Sequence, residues 1–133
     1  MKSKLDKILY WFELAVYDME TARAMLKTRR YLYVGFMCHQ VIEKSLKAYY
    51  WYRKGAEPPY SHNLLLLAGK SGIDPVMTDE QRKLLYTLMP LNIKTRYPDD
   101  KEMLLKSLTY NRCRSIVKET EDLKKWIKKQ LLL

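Results

Sequence analysis

The segment from Leu32 to about Arg53 is apolar on several sides at helical spacing, and this constrains the fold more than any other feature. Val34, Cys38, Val41 and Ala48 mark one face, while Gly35, Ile42, Leu46 and Tyr49 mark another. A helix that is greasy on several sides belongs in the middle of a bundle, enclosed by its neighbours. Its polar residues then become informative, because they cannot all reach water. His39, Gln40, Glu43, Lys44 and Lys47 are spaced to form a polar seam along this rod.

The flanking segments supply the enclosure. Leu5, Ile8, Phe12, Ala15, Met19, Ala22 and Leu26 recur at spacings of three and four, one face of a helix over roughly residues 3–27. Lys4, Lys7, Asp18, Arg23 and Lys27 fall largely off that stripe. Thr28-Arg29-Arg30 is short, so the next helix turns back promptly. Beyond Arg53, Gly55, Pro58 and Pro59 break the helix. A short helix is expected from Ser61 or His62 to Lys70, ended by Ser71-Gly72. Thr78 and Gln81 have capping-box spacing and open a second short helix carrying Leu84, Leu85 and Leu88, which Pro90 kinks or ends. Residues Asn92 to Asp100 read as an ordered loop. From about Met103 to Leu131 runs a last long helix with Cys113, Ile116, Thr120, Leu123 and Ile127 as its core stripe, and lysines at its C-terminus where the helix dipole favours them. With four glycines and five prolines in 133 residues and no alternating run, no strand is expected. The expected architecture is all-α: one domain over 1–133, an up-and-down antiparallel bundle of three long helices plus two short ones.

Composition narrows the class. Hydrophobic residues at 47% and charged residues at 30% describe a globular chain rather than a disordered one. The formal net charge of +10 attracts polyanions and acidic protein surfaces, but a functional patch requires that charge on one face. No apolar run approaches the ~18 residues a membrane span needs, and no apolar core follows the charged opening Met1-Lys2-Ser3-Lys4-Leu5-Asp6. Cys38 and Cys113 are far apart in helical patterns. Together these features predict a cytoplasmic protein with reduced, packed thiols and no membrane contact. The phosphate loop, HExxH, CxxC and GxSxG devices are all absent.

Chemistry has few places to reside. His39 and Glu43 share a helix face at i and i+4, and with His62 they offer three ligand types for a metal. The commoner use of such a pair is a hydrogen bond that satisfies a partly buried imidazole, so neither metal nor cofactor is expected. Lys44 and Lys47 either meet a phosphate as point charges or solvate a helix surface. Arg96, on a loop stiffened by Pro98, presents a bidentate fork to phosphate or carboxylate, or else pairs with Asp99 or Glu43 to pin the loop. Tyr97 beside it offers a stacking face. The aromatic cluster Tyr49, Tyr50, Trp51, Tyr52 and Tyr60 suits base stacking, helix-end packing or a subunit interface, and Tyr10, Trp11 and Tyr17 favour the interface.

The run Phe36-Met37-Cys38-His39-Gln40-Val41-Ile42-Glu43-Lys44-Ser45-Leu46-Lys47-Ala48 resembles the second-helix signature of prokaryotic HEPN domains, near F-x-x-[HQ]-Q-x-x-E-K-x-L-K-A. His62-Asn63-Leu64 is similar to the family's H-x-L segment, and Thr95-Arg96-Tyr97-Pro98-Asp99 to its RYPD loop. Ala15, Asp18 and Ala22 match an opening A-x-x-D-x-x-x-A pattern, so the resemblance covers nearly the whole chain. It implies an up-and-down helical bundle, often dimeric, proposed to bind nucleotides by likeness to the C-terminal domain of kanamycin nucleotidyltransferase. Many such domains pair with a small, separately encoded nucleotidyltransferase in toxin–antitoxin-like modules. Others are metal-independent ribonucleases using an R-x4–6-H motif. Here Arg29 and Arg30 lie too far before His39, as Arg53 does before His62, and no histidine follows Arg112 or Arg114.

The expectation is therefore a non-catalytic HEPN module that binds a nucleotide or acidic ligand through His39, Glu43, Lys44, Lys47, His62, Arg96 and Tyr97, with a homodimer, a minimal nucleotidyltransferase and RNA as candidate partners. One rival is a pure interaction and dimerisation subunit. The other is an atypical ribonuclease lacking the usual motif.

Overall fold

The computed structural model describes residues 3–92 and 98–131. Three long helices carry the fold: α1 (Lys4–Lys27), α2 (Tyr31–Lys54) and α6 (Tyr110–Lys129), with short helices α3 (Leu64–Ser71), α4 (Asp79–Leu88) and α5 (Pro98–Ser107) between the last two. Single 3₁₀ turns at Asp74–Val76 and Met89–Leu91 complete the order, and no strand occurs among the described residues.

Local signals set most boundaries. Ser3 and Asp6 close a capping box at the start of α1, and Thr78 and Gln81 close the predicted one at α4. The turn after α1 ends in a Schellman-type arrangement: the Arg30 N–H donates to the Met25 carbonyl at 2.8 Å and the Arg29 N–H to Leu26 at 3.1 Å, with Arg29 at φ 62. This reverses the chain without a glycine and sets α2 antiparallel to α1. Gly55, at φ 60, ends α2. Pro90 falls where α4 gives way to 3₁₀ geometry.

The structure corrects two readings of the C-terminal third. The expected loop to Asp100 and helix from Met103 are instead a helix that starts at Pro98, a break at Leu108-Thr109, and a separate α6. Thr109 is the reason for the break, since its backbone is extended and its hydroxyl accepts from the Arg112 N–H. Among the described residues the short helices therefore number three rather than two.

α2 lies at the centre, packed along its length by α1, against α6 and α3, and more lightly by α4 and α5. Val34, Cys38, Val41, Ile42, Leu46 and Ala48 are fully buried, and so are Ala15 and Ala22 of α1, where small side chains let the two helices approach. The predicted α6 stripe of Cys113, Ile116, Thr120, Leu123 and Ile127 faces the same core. Both cysteines are free and buried, and burial pushes the Cys38 thiol up to about 12, so it packs as a small apolar group.

Gly35 marks the tightest approach. A Cβ there would lie 3.0 Å from Leu91 Cδ1 and 3.2 Å from Leu91 Cβ. Gly35→Val is expected to overpack this contact and cost about 1–3 kcal/mol in urea denaturation. A variant as stable as the wild type would show that the turn at Met89–Leu91 can shift.

Candidate functional site

The polar seam converges on one carboxylate. Glu43 Oε1 lies 2.9 Å from His62 Nδ1, and Glu43 Oε2 accepts from Lys47 Nζ at 3.0 Å. Lys47 follows Glu43 by one helical turn, which places both side chains on one face. His62 arrives from the segment before α3. There Asn63 caps the helix by accepting from the Leu66 N–H at 3.0 Å, while the fully buried Leu64 anchors the first turn. The His-Asn-Leu sequence thus folds into a cap and an anchor that leave the preceding imidazole aimed at Glu43.

The cluster is enclosed. Glu43 is 3% exposed, Lys47 7% and His39 0%. The Lys47 ammonium also stands 5.3 Å from the centre of the Trp11 ring, a cation–π contact that partly replaces lost hydration. His39 Nδ1 lies 3.8 Å from Glu43 Oε1, longer than a hydrogen bond; the His62 backbone stands close enough to favour the protonated ring, but no partner meets full hydrogen-bond geometry among the described residues. Burial lowers the His39 pKa to about 4, against the opposing pull of Glu43. The expected hydrogen bond satisfying an imidazole is therefore made by His62, and His39 is an uncharged core ring beside it.

Lys44 separates from the others. Its ammonium pairs with Asp18 of α1, a residue 6% exposed that the sequence placed off the buried stripe. The α1 pattern of Ala15, Asp18 and Ala22 holds this second, partly buried ion pair at the helix–helix contact. Arg96 and Tyr97 lie outside the described residues. Among those described, no three His, Cys, Asp or Glu side chains are grouped to hold a metal ion, and no helix is long and apolar enough to cross a membrane.

Outward from Lys47 opens a cleft of ≈ 250 Å³ lined by Trp11, Lys47, Glu57, Pro58, Pro59 and Tyr60. Tyr60 is 98% exposed, its ring centre 6.1 Å from that of His62. Of the rest of the aromatic cluster, Tyr49 packs on Tyr52, and Lys4 and Lys7 of α1 lie over Tyr52 and Trp51. Sequence reasoning missed Trp11 as part of this site, because its role depends on which face of α1 meets α2. Chemically, the arrangement offers an ammonium at the floor, two aromatic faces and a carboxylate at the mouth. Glu43, already bonded to two donors, is a positioning group.

No curated protein and no solved structure matches the chain. The family model for the HEPN domain matches residues 8–130, a span that includes most of α1 and all of α2, the His62 segment and α6. The chain therefore belongs to the HEPN domain family.

Proposed function

We propose that this HEPN domain is a non-catalytic binding module that takes a nucleotide or similar acidic ligand in the cleft above Lys47. The observation that carries the reading is the meeting of a pinned ammonium with Trp11 and Tyr60 at one opening. A base or other flat group would stack on the exposed Tyr60 ring, and a phosphate would draw on Lys47. Glu57 at the mouth and Glu43 behind Lys47 leave this cleft without surplus positive charge. In this reading most of the countercharge comes from Arg96, with Tyr97 adding a second stacking face. Lys44, neutralised by Asp18, holds the helices together instead. The lack of an R-x4–6-H motif and the buried, uncharged state of His39 support the non-catalytic part.

Isothermal titration of the chain with ATP, GTP and nucleoside monophosphates tests the proposal. The expected result is a binding heat that Arg96→Ala and Lys47→Met each remove while the helical circular-dichroism signal persists. Absence of heat with every ligand up to millimolar concentration removes nucleotide binding. The proposal also takes the module as a homodimer and as the partner of a minimal nucleotidyltransferase, in keeping with the family resemblance. Co-expression with such an enzyme followed by size exclusion checks the latter, and co-elution is the expected outcome.

A further inference from the structure

The outer face of α1 carries apolar residues that the bundle does not use. Leu5, Leu9 and Val16 are 48%, 43% and 42% exposed, and they lie at i, i+4 and i+11 beside the buried stripe, on one edge of the helix. Between this edge and the last turns of α6 runs a groove of ≈ 420 Å³ with Leu9, Phe12 and Val16 on one wall and Lys124, Lys128 and Leu131 on the other. Phe12 and Leu131 are both buried, at 6% and 8%, and give it an apolar floor.

The charge along the rim is unbalanced. Arg23, Lys124 and Lys125 all gather on one carboxylate, Glu121, at 3.0, 3.7 and 3.5 Å. Lys128 has no ion-pair partner among the described residues, and Glu13 is the single acid in the lining. A second copy of a chain with net charge +10 would bring an identical lysine row to this face. Repulsion then opposes self-pairing at this edge, because a two-fold contact uses the same patch on both subunits.

We infer that the α1–α6 groove docks an acidic amphipathic helix of a different protein, with its apolar stripe against Leu9, Phe12 and Val16 and its carboxylates along the α6 lysines. From Leu5 to Val16 the edge runs about 16 Å at the helical rise, which matches roughly three turns of the incoming helix and anchors spaced i, i+4, i+7. The inference is independent of the cleft above Lys47, which lies on another part of the surface.

The test uses the full chain and three synthetic helical peptides. One carries leucines at i, i+4 and i+7 with glutamates on the flanks, one has lysines in place of the glutamates, and one has serines in place of the leucines. The acidic leucine peptide is expected to bind, and the other two to bind at least about tenfold more weakly. Val16→Glu is expected to weaken the acidic peptide by about tenfold with the thermal melt unchanged, and Lys125→Glu with Lys128→Glu to transfer the preference to the lysine peptide. The inference is overturned if the serine peptide binds as well as the acidic leucine peptide, or if Val16→Glu leaves the affinity intact. It is equally overturned if sedimentation shows a dimer that Val16→Glu converts to monomer, because the groove is then covered by a second copy.

Discussion

Glu43→Ala is expected to lower the stability of the domain by about 3–5 kcal/mol, the cost of removing one member of a buried ion pair. Glu43 is the acceptor for both Lys47 and His62, and Lys47 is 7% exposed with its ammonium turned toward Trp11. Alanine leaves that ammonium desolvated and uncompensated. The carboxylate's own worth is smaller than this figure, because the folded state already bears the desolvation of both ions. Glu43→Met combined with Lys47→Met removes the two charges together, fills similar volume and is expected to recover most of the loss. Urea denaturation of the single and double variants reads both effects, provided the slope of the transition stays constant. A single-variant loss below about 1 kcal/mol, or a double variant no better than the single, would show that Lys47 finds water and that the seam is not enclosed.

How much of this was legible in the sequence depends on the range of the interaction. The enclosure of α2 followed from its several apolar faces, and the capping box of α4 followed from Thr78 and Gln81, because each signal lies within one or two turns. Pro98 misled in the opposite direction. In the sequence it suits a stiffened loop, yet proline at a first helical position with Asp99 and Asp100 behind it is also a helix start, and the structure takes that alternative. The break before α6 was hidden because the apolar period runs on through Leu104 and Leu108 with no glycine or proline; the one local sign was Thr109 as an N-cap. Of the candidate site, the shared seam of His39, Glu43 and Lys47 was readable from helical spacing, but the spacing suggests His39 as the partner of Glu43, whereas Lys47 makes that contact. Contacts made across helices were not readable. Asp18 claiming Lys44 and Trp11 covering Lys47 depend on how α1 is rotated against α2, which periodicity sets only to within a face. The approach of His62 to Glu43 spans a loop; the sequence groups the two only as possible metal ligands, and the structure makes the contact a hydrogen bond instead.

Acidification is expected to destabilise the fold through His39 by roughly 3 kcal/mol between neutral pH and pH 4. The unfolded chain binds a proton on this ring as the pH falls through about 6.5, whereas burial holds the folded ring uncharged down to about 4. The folded pKa is depressed, so the contribution to stability is fully present above 6.5 and is lost progressively down to about 4. Desolvation dominates and disfavours the charged ring; the Glu43 carboxylate and the His62 backbone favour its protonation, while the His62 and Lys47 side chains oppose it. His39→Leu removes the proton uptake and keeps an apolar core residue, so its stability should fall less steeply over the same window. Carboxylates common to both proteins cancel in the difference. Urea midpoints at intervals from pH 7 to 4 give the two slopes, and a difference under about 1 kcal/mol would mean that the ring is charged or wetted in the folded state. That result would also reopen the catalytic question. A fully buried, neutral imidazole cannot hand a proton to RNA at neutral pH, but one that titrates normally in solvent could.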